Sequence, residues 1–137
     1  MSSSVPPPVE GICPLFQVYD MALSLAFYRE LLGFEIVEQA PSGEQPDWVW
    51  LRRGVIEIML NTMFEQGFRP PEPDLVRNLG HGDCTLFLGT PDVQAMFLYL
   101  KSKGLELKPP VVQSYGMKQL NLKDPDGYGI CFQWPAS

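Results

Sequence analysis

An internal repeat constrains this chain more than any other feature. Asp20 precedes an apolar helical pattern that Gly33 ends, and 72 positions later Asp92 precedes a second one that Gly104 ends. Val55-Ile56-Glu57-Ile58 finds its counterpart in Gly129-Ile130-Cys131-Phe132, 74 positions on. A solenoid needs about three or more units to bury a continuous core. Two copies instead predict a pseudo-twofold pair of modules whose curved sheets enclose a shared cleft, and a cleft is where function should sit.

Within the first copy, residues 12–19 alternate as a strand, with Cys13, Leu15, Gln17 and Tyr19 on one side and Pro14, Phe16 and Val18 on the other. Asp20 is a good N-cap for a helix over 21–32, with rows Leu23, Phe27, Leu31 and Leu25, Tyr28, Leu32, and Gly33 follows at its C-terminal end. Strands are expected at 34–37, 48–52 and 55–60, the last two joined by a turn near Arg53-Gly54. In the second copy a strand at 85–89 leads to Thr90, read as the cap of a helix that begins at Pro91 and runs to Lys103. Its stripe is Val93, Met96, Phe97 and Leu100. Strands follow at 105–107, 118–122 and 128–134, with Asp124-Pro125-Asp126-Gly127 as a hairpin turn. The fold class is therefore α+β: two tandem βαβββ modules forming a curved mixed sheet around a cleft, with helices outside. A Pro/Ser-rich tail occupies 1–11, the modules 12–62 and 83–137, and a connector 63–82, with a short helical turn around 75–79.

Composition removes several classes of function. The chain's 137 residues, 45% of them hydrophobic, suffice for one compact unit. No apolar run approaches the ~18 residues of a membrane helix. The net charge of −6, without a basic cluster, excludes a phosphate-backbone binder, so no nucleic acid and no membrane partner is expected. The first residues have no basic and apolar regions in series and do not read as a signal peptide. Cys13, Cys84 and Cys131 are odd in number and widely spaced, which argues against a disulfide framework and for the reducing cytoplasm.

Two runs carry a family resemblance. Phe27-Tyr28-Arg29-Glu30-Leu31-Leu32-Gly33-Phe34 after Asp20, and Lys123-Asp124-Pro125-Asp126-Gly127-Tyr128 near the end, resemble the signatures of the vicinal-oxygen-chelate superfamily of glyoxalases, bleomycin-resistance proteins and extradiol dioxygenases. The likeness extends from about Ile12 to Trp134. In metal-dependent members each module offers one ligand from its first strand, commonly His or Gln, and one from its last, commonly Glu. Carried onto this chain, those positions hold Cys13 and Thr85 on the first strands and Glu57 and Cys131 on the last. A hard divalent ion needs several oxygen or imidazole donors, so the resemblance implies no metal. The alternative is a divalent metal such as zinc, nickel or iron, with zinc held by Cys13 and Cys131 thiolates beside Glu57.

Each candidate has a functional and a structural reading. Glu57 is a ligand or a general base in an apolar cleft, or a carboxylate held by an arginine or a backbone amide. Cys13 and Cys131 are thiolate ligands or small buried hydrophobes. His81, the one histidine, lies four residues before Thr85 and reads as a solvated loop residue, or as the missing imidazole if the strand register slips by an even number of residues. Asp124 and Asp126 are explained by the turn. Leu15, Gln17, Tyr19, Met59, Phe87 and Gln133 are expected to line the cleft, flanked by Trp48, Trp50 and Tyr115. Such walls suit a flat or amphipathic organic ligand. The resemblance is closest to bleomycin-resistance-type members, which implies ligand binding without chemistry, in a homodimer that completes each cleft. The alternatives are a metal-dependent lyase, isomerase or dioxygenase using Glu57, or a non-catalytic interaction protein with a vestigial cleft.

Overall fold

The computed structural model describes residues 4–65 and 67–137. Residues 1–3 of the expected tail and Gln66 of the expected connector lie outside the described residues. Residues 4–14 carry no helix or strand. The first sheet contains β1 (Leu15–Val18), β2 (Glu35–Ala40), β3 (Trp48–Arg53) and β4 (Ile56–Thr62) in the order β1-β4-β3-β2. The second repeats it with β5 (Thr85–Gly89), β6 (Val111–Val112), β7 (Met117–Lys123) and β8 (Gly129–Pro135) in the order β5-β8-β7-β6. In each sheet the first strand runs parallel to the last and the remaining pairs are antiparallel.

The helices cover one face of each sheet. The first, α1 (Met21–Leu25), continues as a π-helical turn over Ala26–Leu31, and the carboxylate of Asp20 accepts from the Leu23 N–H at its start. Beneath it lie Phe16, Val18, Val49, Leu51, Ile58 and Leu60, all buried. In the second module α3 (Val93–Ser102) sets Val93, Phe97 and Leu100 over Leu120, Leu122, Ile130 and Phe132. A third helix, α2 (Leu75–His81), lies in the connector. Period-2 alternation in the strands thus gives each sheet one apolar face under a helix and one open face.

Several local expectations change. No strand forms at 105–107: Lys108-Pro109-Pro110 follows, prolines lack the N–H a ladder requires, and Leu105 and Leu107 instead pack against the core from a loop. The paired residues at this edge are Val111 and Val112. Thr90 does not cap α3. Its N–H bonds the Gln133 carbonyl at 3.1 Å, and Asp92, one residue past the proline, accepts from Ala95 N–H at 2.9 Å. The first strand begins only after Pro14, whose carbonyl still accepts from Met59 N–H at 2.8 Å.

The Asp124-Pro125-Asp126-Gly127 turn forms, and it also joins the modules. Asp124 and Asp126 are buried against the first helix. Tyr28 donates its hydroxyl to Asp124 at 2.7 Å, Ser24 donates to Asp126 at 3.3 Å, and Tyr19 N–H donates to Asp126 at 2.8 Å. Across the same seam Tyr128 stacks between Phe16 and His81, with ring centroids 3.9 and 4.0 Å away. His81 is therefore no solvated loop residue. It is half-buried at the end of α2, with Nδ1 2.7 Å from the Asp126 carbonyl.

Candidate functional site

The open face of the first sheet is read directly from its register. Leu15 pairs with Met59, Gln17 with Asn61, Trp50 with Met59 and Trp48 with Asn61, so these six side chains share one surface with the Arg52–Glu57 pair. On the second sheet Phe87 pairs with Cys131, and Gln133 with Gln119. Each face carries one amide-to-amide hydrogen bond: Asn61 donates to Gln17 at 3.2 Å, and Gln119 donates to Gln133 at 2.9 Å. Phe87 is 57% exposed and Tyr115, in the turn before β7, 67%.

Tyr19 separates from this group. Its hydroxyl donates to the Pro70 carbonyl, Arg69 lies 4.9 Å over its ring, and Phe64 meets it edge-on. It lines a cavity of about 550 Å³ at the end of the first sheet, beside the Arg69–Asp20 ion pair of 2.9 Å. Trp50 stays on the open face with the Arg52 guanidinium 5.5 Å from its ring, and its indole nitrogen is buried without a hydrogen-bond partner among the described residues.

Glu57 has the geometry of a carboxylate held by an arginine. Arg52, its cross-strand neighbour, donates to Oε1 from Nη2 at 2.8 Å and from Nε at 3.0 Å. Cys13 lies level with Glu57 when the Leu15–Met59 register is extended by two residues. Burial, and then the Glu57 carboxylate, push the Cys13 thiol upward, and burial alone does so for Cys131. Both are held as thiols rather than thiolates.

The four expected ligand positions do not form two equivalent pairs. Thr85 pairs with Gly129, where a Cβ would collide with the threonine hydroxyl, and Cys131 pairs with Phe87. Both modules keep the same spacing between first and last strand, as the pairs Leu15–Met59 and Thr85–Gly129 show. A single offset therefore carries Cys13 and Glu57 to Thr85 and Gly129, or to Phe87 and Cys131, never to Thr85 and Cys131. A carboxylate already held by a guanidinium, a threonine hydroxyl and two sulfur groups do not supply the several oxygen or imidazole donors that a hard divalent ion needs. Among the described residues no three His, Cys, Asp or Glu side chains converge.

Sequence reasoning missed Arg52, Asn61 and Gln119. Asn61 was within reach, since period 2 carries Glu57 through Met59 to Asn61 on one face.

A family model described as the glyoxalase/bleomycin resistance protein/dioxygenase superfamily matches residues 13–132. The chain belongs to this superfamily. Solved structures agree in fold. TioX from Micromonospora sp. ML1 is 14% identical with a TM-score of 0.70, covering 91% of this chain and 98% of its own. A bleomycin resistance determinant encoded on the transposon Tn5 is 22% identical with a TM-score of 0.69, over 94% and 100%. TnmS3, an antibiotic binding protein from Streptomyces sp. CB03234, is 23% identical with a TM-score of 0.68, over 95% and 99%. Comparison with curated proteins gives no match. Superfamily membership explains the duplicated sheets, and at these identities the neighbours speak for the fold alone. No helix among the described residues is long and apolar enough to cross a membrane.

Proposed function

We propose that the chain binds a small flat or amphipathic organic molecule on its open sheet faces, without a metal, and that a second copy completes the site. The carrying observation is the half-buried aromatic and amide surface of Trp48, Trp50, Met59 and Gln133, with Phe87 exposed beside it, on the sheet faces opposite the helices. Aromatic planes bind flat ligands by stacking, and a few amides orient them. Similar folds include a bleomycin-binding protein complexed with bleomycin, alongside TnmS3. Pairing is supported by Leu15, Phe87 and Tyr115, large side chains that a single chain leaves exposed and that a twofold partner would bury. The three free cysteines suit the reducing cytoplasm.

The test is a titration of the purified chain with bleomycin and a panel of aromatic antibiotics, followed by tryptophan fluorescence, with the mass in solution measured alongside. A saturable quench is expected for at least one compound, weakened about tenfold by Phe87→Ala, or ~1.4 kcal/mol. A mass twice the chain's 15.4 kDa is expected as well. Binding that Phe87→Ala leaves unchanged would overturn the site, and a monomer at all concentrations would overturn the pairing.

A further inference from the structure

A second cavity of about 400 Å³ opens between the modules on their helix-bearing sides, away from the open faces. The first module contributes Leu32, Phe34 and Ile56, and the second Leu88, Met96 and Phe132, so the larger part of the wall is apolar. Its size falls within the ~300–1,000 Å³ of small-molecule sites. The two groups in its lining with polar side chains are Arg53, the last residue of β3, and Thr90.

Arg53 gives this cavity its chemistry. Its side chain passes over Gly33, where part of its charge complements the carbonyl end of the first helix. Among the described residues the guanidinium has neither an ion-pair nor a hydrogen-bond partner, unlike Arg52 on Glu57 and Arg69 on Asp20. A planar fork of donors beside an apolar wall matches a carboxylate, which it holds through two parallel hydrogen bonds, and the chain behind the carboxylate gains from leaving water. The single cation limits the charge that can be held. On a protein of net charge −6 a polyanion would meet repulsion everywhere else.

We infer that this inter-module cavity binds an amphipathic monocarboxylate, a medium-chain fatty acid or similar molecule, with its apolar part between the modules and its carboxylate on Arg53. Such a ligand would tie the two modules together from the side opposite the open faces.

Octanoate, kept below its micelle-forming concentration, is the probe. Amide NMR spectra of the full chain at pH 7 should show saturable shifts at Arg53, Ile56, Leu88, Thr90 and Met96. Octylamine, with the same chain and the opposite charge, should bind at least tenfold more weakly. Arg53→Gln alters an exposed side chain and should lower the melting temperature only slightly, through the lost helix-end charge, while weakening octanoate at least tenfold. The inference is wrong if octanoate gives no saturable shifts, if the shifts gather on Phe87, Gln119 and Gln133 instead, or if Arg53→Gln binds octanoate as tightly as the parent chain.

Discussion

At the scale of single residues, the side chains that do most are those of the seam. The carboxylate of Asp124 accepts from the Tyr28 hydroxyl and from the N–H groups of Asp126 and Tyr128, so a buried charge is surrounded by donors. Burial and the neighbouring Asp124 raise the Tyr28 hydroxyl far above its ordinary value, so it stays protonated and can donate. Tyr28→Phe leaves one carboxylate oxygen short of a donor and should cost about 2 kcal/mol in a denaturant melt. Tyr128→Phe removes a hydroxyl that donates to the Gln17 carbonyl at 3.1 Å, a neutral and longer bond, and should cost about half as much. Equal losses would mean that the Tyr28–Asp124 bond has no special weight. Sequence alone classed Asp124 and Asp126 correctly as turn residues, since Asp-Pro-Asp-Gly is a local signal. It did not reveal that Tyr28, 96 positions earlier, would close the network, because nothing local links the two.

At the scale of elements, short-range rules worked wherever the signal was short-range. Asp20 caps the first helix, and the alternation of β3 and β4 sorted Val49, Leu51, Ile58 and Leu60 to the core and Trp48, Trp50 and Met59 to the open face. They failed at 105–107, where two following prolines withhold donors, and at Thr90, where Asp92 two residues on supplies the capping carboxylate instead. The turn before β8 shows the same interplay. Gly127 has φ +88, and a Cβ there would run into the Asn78 carbonyl of α2, whereas Gly116 has φ +89 with open space around it. Gly116→Ala should cost ~1 kcal/mol from backbone strain alone. Gly127→Ala should cost ~3 kcal/mol or more, because α2 must also move off the seam. Matching melts for the two variants would show that α2 yields freely.

At the scale of the whole molecule, the buried carboxylates make the joint between modules respond to pH. Burial outweighs the hydrogen bonds and raises both Asp124 and Asp126 above 3.8. Groups raised in the folded state contribute stability that is complete below their unfolded pKa and is lost as pH rises through the folded value. From about pH 4 upward these two aspartates should therefore lower stability, by at most ~1.4 kcal/mol per pH unit for each proton. Asp126→Asn keeps an acceptor for Tyr19 and a partner for Ser24, and should flatten the fall of melting temperature over that range. An unchanged slope would show that Asp126 titrates as an exposed carboxylate does. The sequence by itself determined the duplication, the faces of the strands that form, the start of the first helix and the superfamily, because repeat spacing, alternation and capping are written within a few residues of one another. Only the tertiary structure decided which residues meet: Thr85 with Gly129 and not with Cys131, Arg52 on Glu57, Tyr19 drawn away to Pro70, and Arg53 left unpaired at an apolar cavity. Those pairings depend on register and on the docking of one module against the other, and a shift of two residues leaves every local pattern intact while changing every neighbour.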